Sequence, residues 1–190
     1  MNINNYNECI REIRMLLEIK MFDSSDIACS LLLSSLSSLS SSSSSLDLYV
    51  DTLELYGDIL YAKQEYKRAL SQYRQAMQQR KFLSSSSSLS KTRMVNSINT
   101  IEEARIRYKE AQCLLSIGDN NQLVIKELET VPSKLRDAKF HLCLGKLYKA
   151  NNRKKDALMT FKEILKQIPS CIEAVEMLVS LGCDTTEITG

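Results

Sequence analysis

Apolar positions recur every three or four residues along this chain without a sustained strand-like alternation, so the pattern predicts helices throughout. Ile10, Ile13, Leu16 and Leu17, followed by Ile27, Ala28, Leu31 and Leu32, predict a helical hairpin turning at Phe22 to Ser25. Leu33, Leu36 and Leu39 extend its second helix into the serine run that ends at Ser45. Leu53, Tyr56, Gly57 and Leu60 form the next helical face, answered by Ala69, Tyr73 and Ala76. Ile101, Ala104, Tyr108, Ala111 and Leu115 line one face of a further helix. Its companion, through Val124, Leu128 and Val131, is short because Pro132 lacks an amide donor and clashes with the preceding turn. Leu144, Gly145 and Tyr148 pair with Ala157, Phe161 and Ile164 before Pro169. Ser170-x-x-Glu173 then has the spacing of a capping box ahead of Ala174, Met177, Leu178 and Leu181.

These helices fall on a period. Ala111 lies 34 residues before Gly145, and Gly57 lies 54 before Ala111, one period plus about twenty residues. Small and aromatic residues at these offsets are the signature of the tetratricopeptide repeat, a two-helix unit that cannot bury its apolar face without stacked neighbours. The expected fold is all-α, a right-handed superhelix of stacked antiparallel helix pairs in a single array over residues 1–190. Its parts are a divergent N-terminal hairpin at about 5–40, a repeat at 50–83, an inserted loop at 84–100, a degenerate repeat at 101–137, a repeat at 138–171 and a final helix at 172–183. The insertion, Ser84 to Ser88 with Leu89, Ser90 and the polar run to Asn99, carries too little apolar surface to offset its ordering entropy. Closing such a loop costs roughly 1 to 2 kcal/mol more than a short connector. The serine tracts contain no Ser-Pro or Thr-Pro pair and read as spacers.

Composition narrows the function. With 44% hydrophobic residues, five glycines and two prolines, no sheet is needed. There is no charged flank leading into an apolar signal core and no apolar run near 18 residues, so neither secretion nor a membrane span is expected, and the compartment is cytosolic or nuclear. The six cysteines, Cys9, Cys29, Cys113, Cys143, Cys171 and Cys183, show no close pairing and read as free buried thiols. The single histidine, His141, lies in a helix beside Phe140, so neither a metal site nor a catalytic base is expected. No phosphate loop or nucleophile elbow is present, which predicts no catalytic residues and no cofactor or small-molecule substrate. A net charge of +2 gives no broad basic field, and Arg153-Lys154-Lys155 with Lys149 sits at a turn, so no nucleic-acid partner is expected.

The first helix of each repeat lines the groove of such an array. Around Gly57 the groove positions are Asp51, Glu54, Asp58 and Tyr61, an acidic end; around Gly145 they are Lys139, Leu142, Lys146 and Lys149, a basic end, with Arg105, Tyr108 and Gln112 between. Asp51, Glu54, Asp58, Lys139, Lys146 and Lys149 are therefore the candidate groove and interface residues, complementary in an antiparallel homodimer. A groove that grips a ligand's C-terminal carboxylate needs Lys and Asn where Glu54 and Asp58 stand, so that chaperone-adaptor chemistry is disfavoured. Binding of another kind of peptide stays open as the alternative.

A closer resemblance covers most of residues 25–180. Tyr66 to Lys81, Leu89-Ser90-Lys91-Thr92, Tyr108 to Cys113, Val131-Pro132-Ser133, Leu147-Tyr148-Lys149, Phe161 to Gln167 and the early Ser30-Leu31-Leu32-Leu33 resemble the N-terminal part of the subunit-seven family of the anaphase-promoting complex. The resemblance implies a non-catalytic scaffold in a multisubunit ubiquitin ligase of the cell cycle. It also implies homodimerisation through N-terminal repeats and association with the complex's other tetratricopeptide subunits, in nucleus and cytoplasm. Family members are far longer, so a chain ending at Gly190 is expected to lack later repeats and to retain self-association more readily than docking to the complex.

Overall fold

The computed structural model describes residues 3–38, 43–86 and 93–183. Among them are nine α-helices and no strand: α1 (Ile3–Glu18), α2 (Phe22–Ser37), α3 (Ser43–Ala62), α4 (Tyr66–Ser86), α5 (Arg93–Ile117), α6 (Asn121–Glu129), α7 (Ala138–Ala150), α8 (Lys154–Gln167) and α9 (Ile172–Ser180), with a 3-10 turn at Ser133–Leu135. The chain divides into two compact units, Met1–Gly118 and Asp119–Gly190.

In the first unit α3 is the central helix. Thr52 through Gly57 are consecutively buried, because α1, α2 and α4 pack against α3 and the Arg105 and Lys109 side chains of α5 reach over it. Val50, Leu53, Tyr56, Ile59 and Leu60 meet Ala69, Leu70, Tyr73, Ala76 and Met77 of α4 in one apolar core. Gly57 faces the Tyr73 ring so closely that a Cβ there would overlap it. The second unit repeats the device at the same sixteen-residue offset: a Cβ on Gly145 would stand 2.6 Å from Cε1 of Phe161. Glycine is required at both positions by close helix approach, since both lie in regular helix.

One turn design recurs. Lys20, Gln64 and Asn152 follow α1, α3 and α7 with φ of 63°, 64° and 58°. In each case the next amide reaches back five residues, as in Met21 to Leu16, Glu65 to Leu60 and Arg153 to Tyr148, all at 2.9 Å. Cys183 closes α9 in the same way on Leu178, after Gly182 at φ 89°. This left-handed cap satisfies carbonyls that the helix end leaves open.

Several boundaries differ from the sequence expectation. The first hairpin turns at 19–21 rather than at Phe22 to Ser25. The face that α2 buries is Ser25, Cys29, Leu32 and Leu36, which leaves Ile27 63% and Leu31 65% exposed. A helix apolar on several sides offers more than one buriable face, and packing against its neighbours chooses among them. The serine-rich stretch is held helical by the apolar row Cys29, Leu32 and Leu36, and its hydroxyls are satisfied locally: Ser30, Ser34, Ser35 and Ser37 donate to the carbonyls of Ile27, Leu31, Leu32 and Ser34 at 2.8–2.9 Å. Leu39 lies outside the described residues. The insertion expected over 84–100 is helical through Ser86 and again from Arg93, while Leu89, Ser90, Lys91 and Thr92 lie outside the described residues.

Within α5, Ile101 is 54% exposed, and Ile106 and Cys113 join Ala104 and Ala111 among the buried positions. In the second unit α6 ends at Glu129, three residues before Pro132. Asn120 caps its start by accepting from the Gln122 amide, as Asp137 caps α7 by accepting from Phe140. Ser170 is not a cap: Cys171 occupies the cap position of α9 without a side-chain bond to the helix backbone, and the helix stops at Ser180 rather than at Cys183.

Candidate functional site

The three candidate acids come together on α3, and each meets a cation of its own unit. Glu54 is only 4% exposed, yet its Oε1 accepts from Arg105 Nε and Lys109 Nζ, both at 2.8 Å, and its Oε2 from the second Arg105 nitrogen at 2.7 Å. Asp58 accepts from the Tyr73 hydroxyl at 2.7 Å and from Lys109 at 2.7–2.8 Å. Asp51 pairs with Arg80 of α4, which also holds Glu102 of α5. Burial alone would raise the Glu54 carboxyl; the bonds from Arg105 and Lys109 outweigh it and hold the group below the ordinary carboxylate range. The acidic end of the groove expected from sequence is thus neutralised within the unit.

This network has a readable cause. Glu54 and Asp58 stand four residues apart on α3, Arg105 and Lys109 four apart on α5, so two parallel rungs form when the helices pack. Arg105 was placed in the groove by period alone, whereas Lys109 and Arg80 were not singled out. The matched four-residue spacing of opposite charge on neighbouring helices was the available signal.

The three candidate lysines belong to the second unit. Lys139 and Lys146 are exposed on α7, and Lys149 donates to Ser180 Oγ of α9 at 2.6 Å. A second polar cluster ties α6 to α7: the Tyr148 hydroxyl donates to Glu129 at 2.8 Å, and Arg153 bonds the same carboxylate at 2.9 Å while its guanidinium lies 4.4 Å from the centre of the Tyr148 ring. His141 is buried with neither ring nitrogen bonded, and burial, reinforced by the charge of Arg136, lowers its pKa. All six cysteines are free thiols, Cys29 and Cys113 buried and the others half-buried. Burial pushes the thiols of Cys29 and Cys113 up to about 12, which keeps both protonated and unreactive at neutral pH. Among the described residues no group of three or more His, Cys, Asp or Glu is placed to hold a metal, and no helix is long and apolar enough to cross a membrane.

The prominent surface feature of the first unit is apolar. Between α1 and α2 runs a groove of about 330 Å³ lined by Cys9, Ile13, Leu16, Ala28, Leu31 and Leu32, with Glu12 and Ser35 as its polar members. Met15, Ile19, Met21, Ile27 and Leu31, all on this hairpin, are large apolar side chains about half exposed or more. Of these, Leu31 lines the groove itself.

No family model matches the chain. Curated relatives do: anaphase-promoting complex subunit 7 of Dictyostelium discoideum is 32% identical over 45% of this chain, that of Homo sapiens 30% over 58%, and that of Arabidopsis thaliana 33% over 55%. The matched regions make up 15%, 20% and 18% of those proteins, so the chain spans about a fifth or less of the relatives it matches. Among solved structures it resembles YrrB, described as a tetratricopeptide protein with an unusual peptide-binding site, at a TM-score of 0.55 and 14% identity, over 95% of this chain and 88% of that one. That likeness is one of fold alone. The chain therefore has the all-α tetratricopeptide fold, and over about half its length it is similar in sequence to subunit 7 of the anaphase-promoting complex.

Proposed function

We propose that this chain is a non-catalytic scaffold module of the anaphase-promoting complex, acting in nucleus and cytoplasm, and that it self-associates through its N-terminal hairpin. The observation that carries the proposal is the apolar groove and exposed apolar row of α1 and α2, in a chain whose sequence relatives are subunits of that complex. A second copy is the occupant that fits. A two-fold interface sets the same patch against itself, and apolar surface needs no opposite charge to match it. Fully burying a Leu or Ile contributes about 1.5–3 kcal/mol and these side chains are already part-buried, so it takes the five from each copy together to offset an association cost of about 4–15 kcal/mol. Asp51, Glu54 and Asp58 are engaged within their unit, so in this reading they and Lys139, Lys146 and Lys149 tune orientation at most. Their engagement also withdraws these three carboxylates from the peptide-adaptor alternative.

Sedimentation equilibrium on the full chain tests the reading. The wild type should be a dimer at micromolar concentration, and Ile27→Asp with Leu31→Asp should give a monomer of unchanged helicity, while Lys139→Glu with Lys146→Glu shifts the equilibrium by a few-fold at most. A monomeric wild type, or a dimer indifferent to the α2 substitutions, removes the hairpin interface. Co-precipitation with recombinant tetratricopeptide subunits of the complex tests the scaffold role separately, and failure to capture any of them would count against it.

A further inference from the structure

The second helices of the two full repeats share a surface pattern that is independent of the α1–α2 groove. Aligning Gly57 with Gly145 places Lys67 over Lys155, Ser71 over Met159, Arg74 over Lys162 and Gln78 over Lys166. All eight are exposed, on the side of α4 or α8 opposite the buried rows Ala69, Tyr73, Ala76 and Ala157, Phe161, Ile164. The groove-lining first helices, by contrast, change sign between the repeats, with Asp51 and Asp58 over Lys139 and Lys146.

Lys67, Arg74, Lys155 and Lys162 make no ion pair among the described residues. The nearby acids are occupied. Helix α4 contains no Asp or Glu, and Glu65 ahead of it is held by Arg68 and Lys63. In α8, Asp156 is bonded to Arg153 and Glu163 to Lys166. Each helix thus offers two uncompensated cations seven residues apart, on one face and separated by about 10 Å along the axis. A peptide in the polyproline-II form turns once every three residues and advances about 9 Å in doing so, so carboxylates at every third position fall on one side at close to that spacing.

We propose that the outer faces of α4 and α8 are docking surfaces for an extended acidic segment of another protein, bearing Asp or Glu at about every third residue. Met159, 73% exposed between Lys155 and Lys162, gives the α8 surface an apolar contact for a side chain between two acids. Nucleic acid is the poorer fit, because the α8 stripe exposes no aromatic ring for base stacking, Phe82 is the single exposed ring beyond the α4 stripe, and the net charge is only +2.

Fluorescence anisotropy on the full chain at 0.1 M salt tests this, with a labelled peptide of roughly twelve residues carrying Glu at every third position. Lys67→Glu with Arg74→Glu, and separately Lys155→Glu with Lys162→Glu, should each weaken their site about tenfold, since two exposed ion pairs are replaced by repulsions. Lys126→Glu with Lys134→Glu makes the same change of net charge on neither α4 nor α8 and should leave binding within twofold of wild type. Circular dichroism verifies that each variant is folded. Absence of saturable binding, or equal weakening in the control pair, overturns the proposal. So does a single-stranded oligonucleotide of equal charge that binds more tightly and is lost with the same reversals.

Discussion

Replacing Gly145 by alanine opposes two effects of known size. Gly145 lies in the middle of α7, where alanine is favoured over glycine by about 0.5–1 kcal/mol through the entropy of the unfolded chain. The new methyl, however, would stand 2.6 Å from Cε1 and 2.8 Å from Cζ of Phe161, inside van der Waals contact. Phe161 is fully buried, so its ring cannot swing into solvent, and either ring or helix must shift. Overpacking of this kind costs about 1–3 kcal/mol, which leaves a net loss between about 0 and 2.5 kcal/mol, roughly 1–1.5 kcal/mol at mid-range. For a unit of this size the mid-range loss is a fall in Tm of roughly 4–12 °C. A double-mutant cycle with Phe161→Leu isolates the contact. With the smaller side chain the clash is relieved and only the helix preference is left, so Gly145→Ala should then stabilise by about 0.5–1 kcal/mol. Native-state hydrogen exchange of α7 amides reads the second unit specifically, which matters because two compact units need not unfold together. The reasoning is refuted if Gly145→Ala stabilises the Phe161 protein, or if its effect is the same in both backgrounds.

Three further outcomes are expected. Gln64→Gly should raise the Tm of the first unit by a few degrees, because a side chain at φ 64° costs about 1–2 kcal/mol that glycine avoids, against a smaller loss from the freer unfolded chain; a lower Tm would contradict the left-handed cap. Glu54→Gln should destabilise by about 1–3 kcal/mol at neutral pH. Because the folded-state pKa of Glu54 is depressed, its contribution is full above the ordinary value of 4.5 and disappears as pH falls through the folded value, so urea denaturation of wild type and variant should converge in acid and stay apart at pH 7. His141→Leu should stabilise the second unit by about 1–2 kcal/mol, since it removes two buried ring nitrogens without partners. The lowered pKa of His141 means that wild type loses stability as pH falls below 6.5, and a thermal-melt series from pH 7 to 5 should show that slope flattened in the variant.

The helical class and the small-against-large positions Gly57 with Tyr73 and Gly145 with Phe161 are legible in the sequence, because close helix crossings demand small residues against large ones at set offsets. The early end of α6 before Pro132 was legible for a similarly local reason. Three-dimensional packing decided what local pattern leaves degenerate. In α2 several faces are apolar, and its neighbours selected Ser25, Cys29, Leu32 and Leu36 while leaving Ile27 and Leu31 outside. The left-handed turns at Lys20, Gln64 and Asn152 carry no glycine to announce them; the required helix reversal imposes the conformation. The charge at the groove was read one helix at a time, so Asp51, Glu54 and Asp58 stood as an acidic end. Only the packing of α4 and α5 around α3 brought Arg80, Arg105 and Lys109 onto them, because a charge's field depends on neighbours that may lie fifty residues away in the chain.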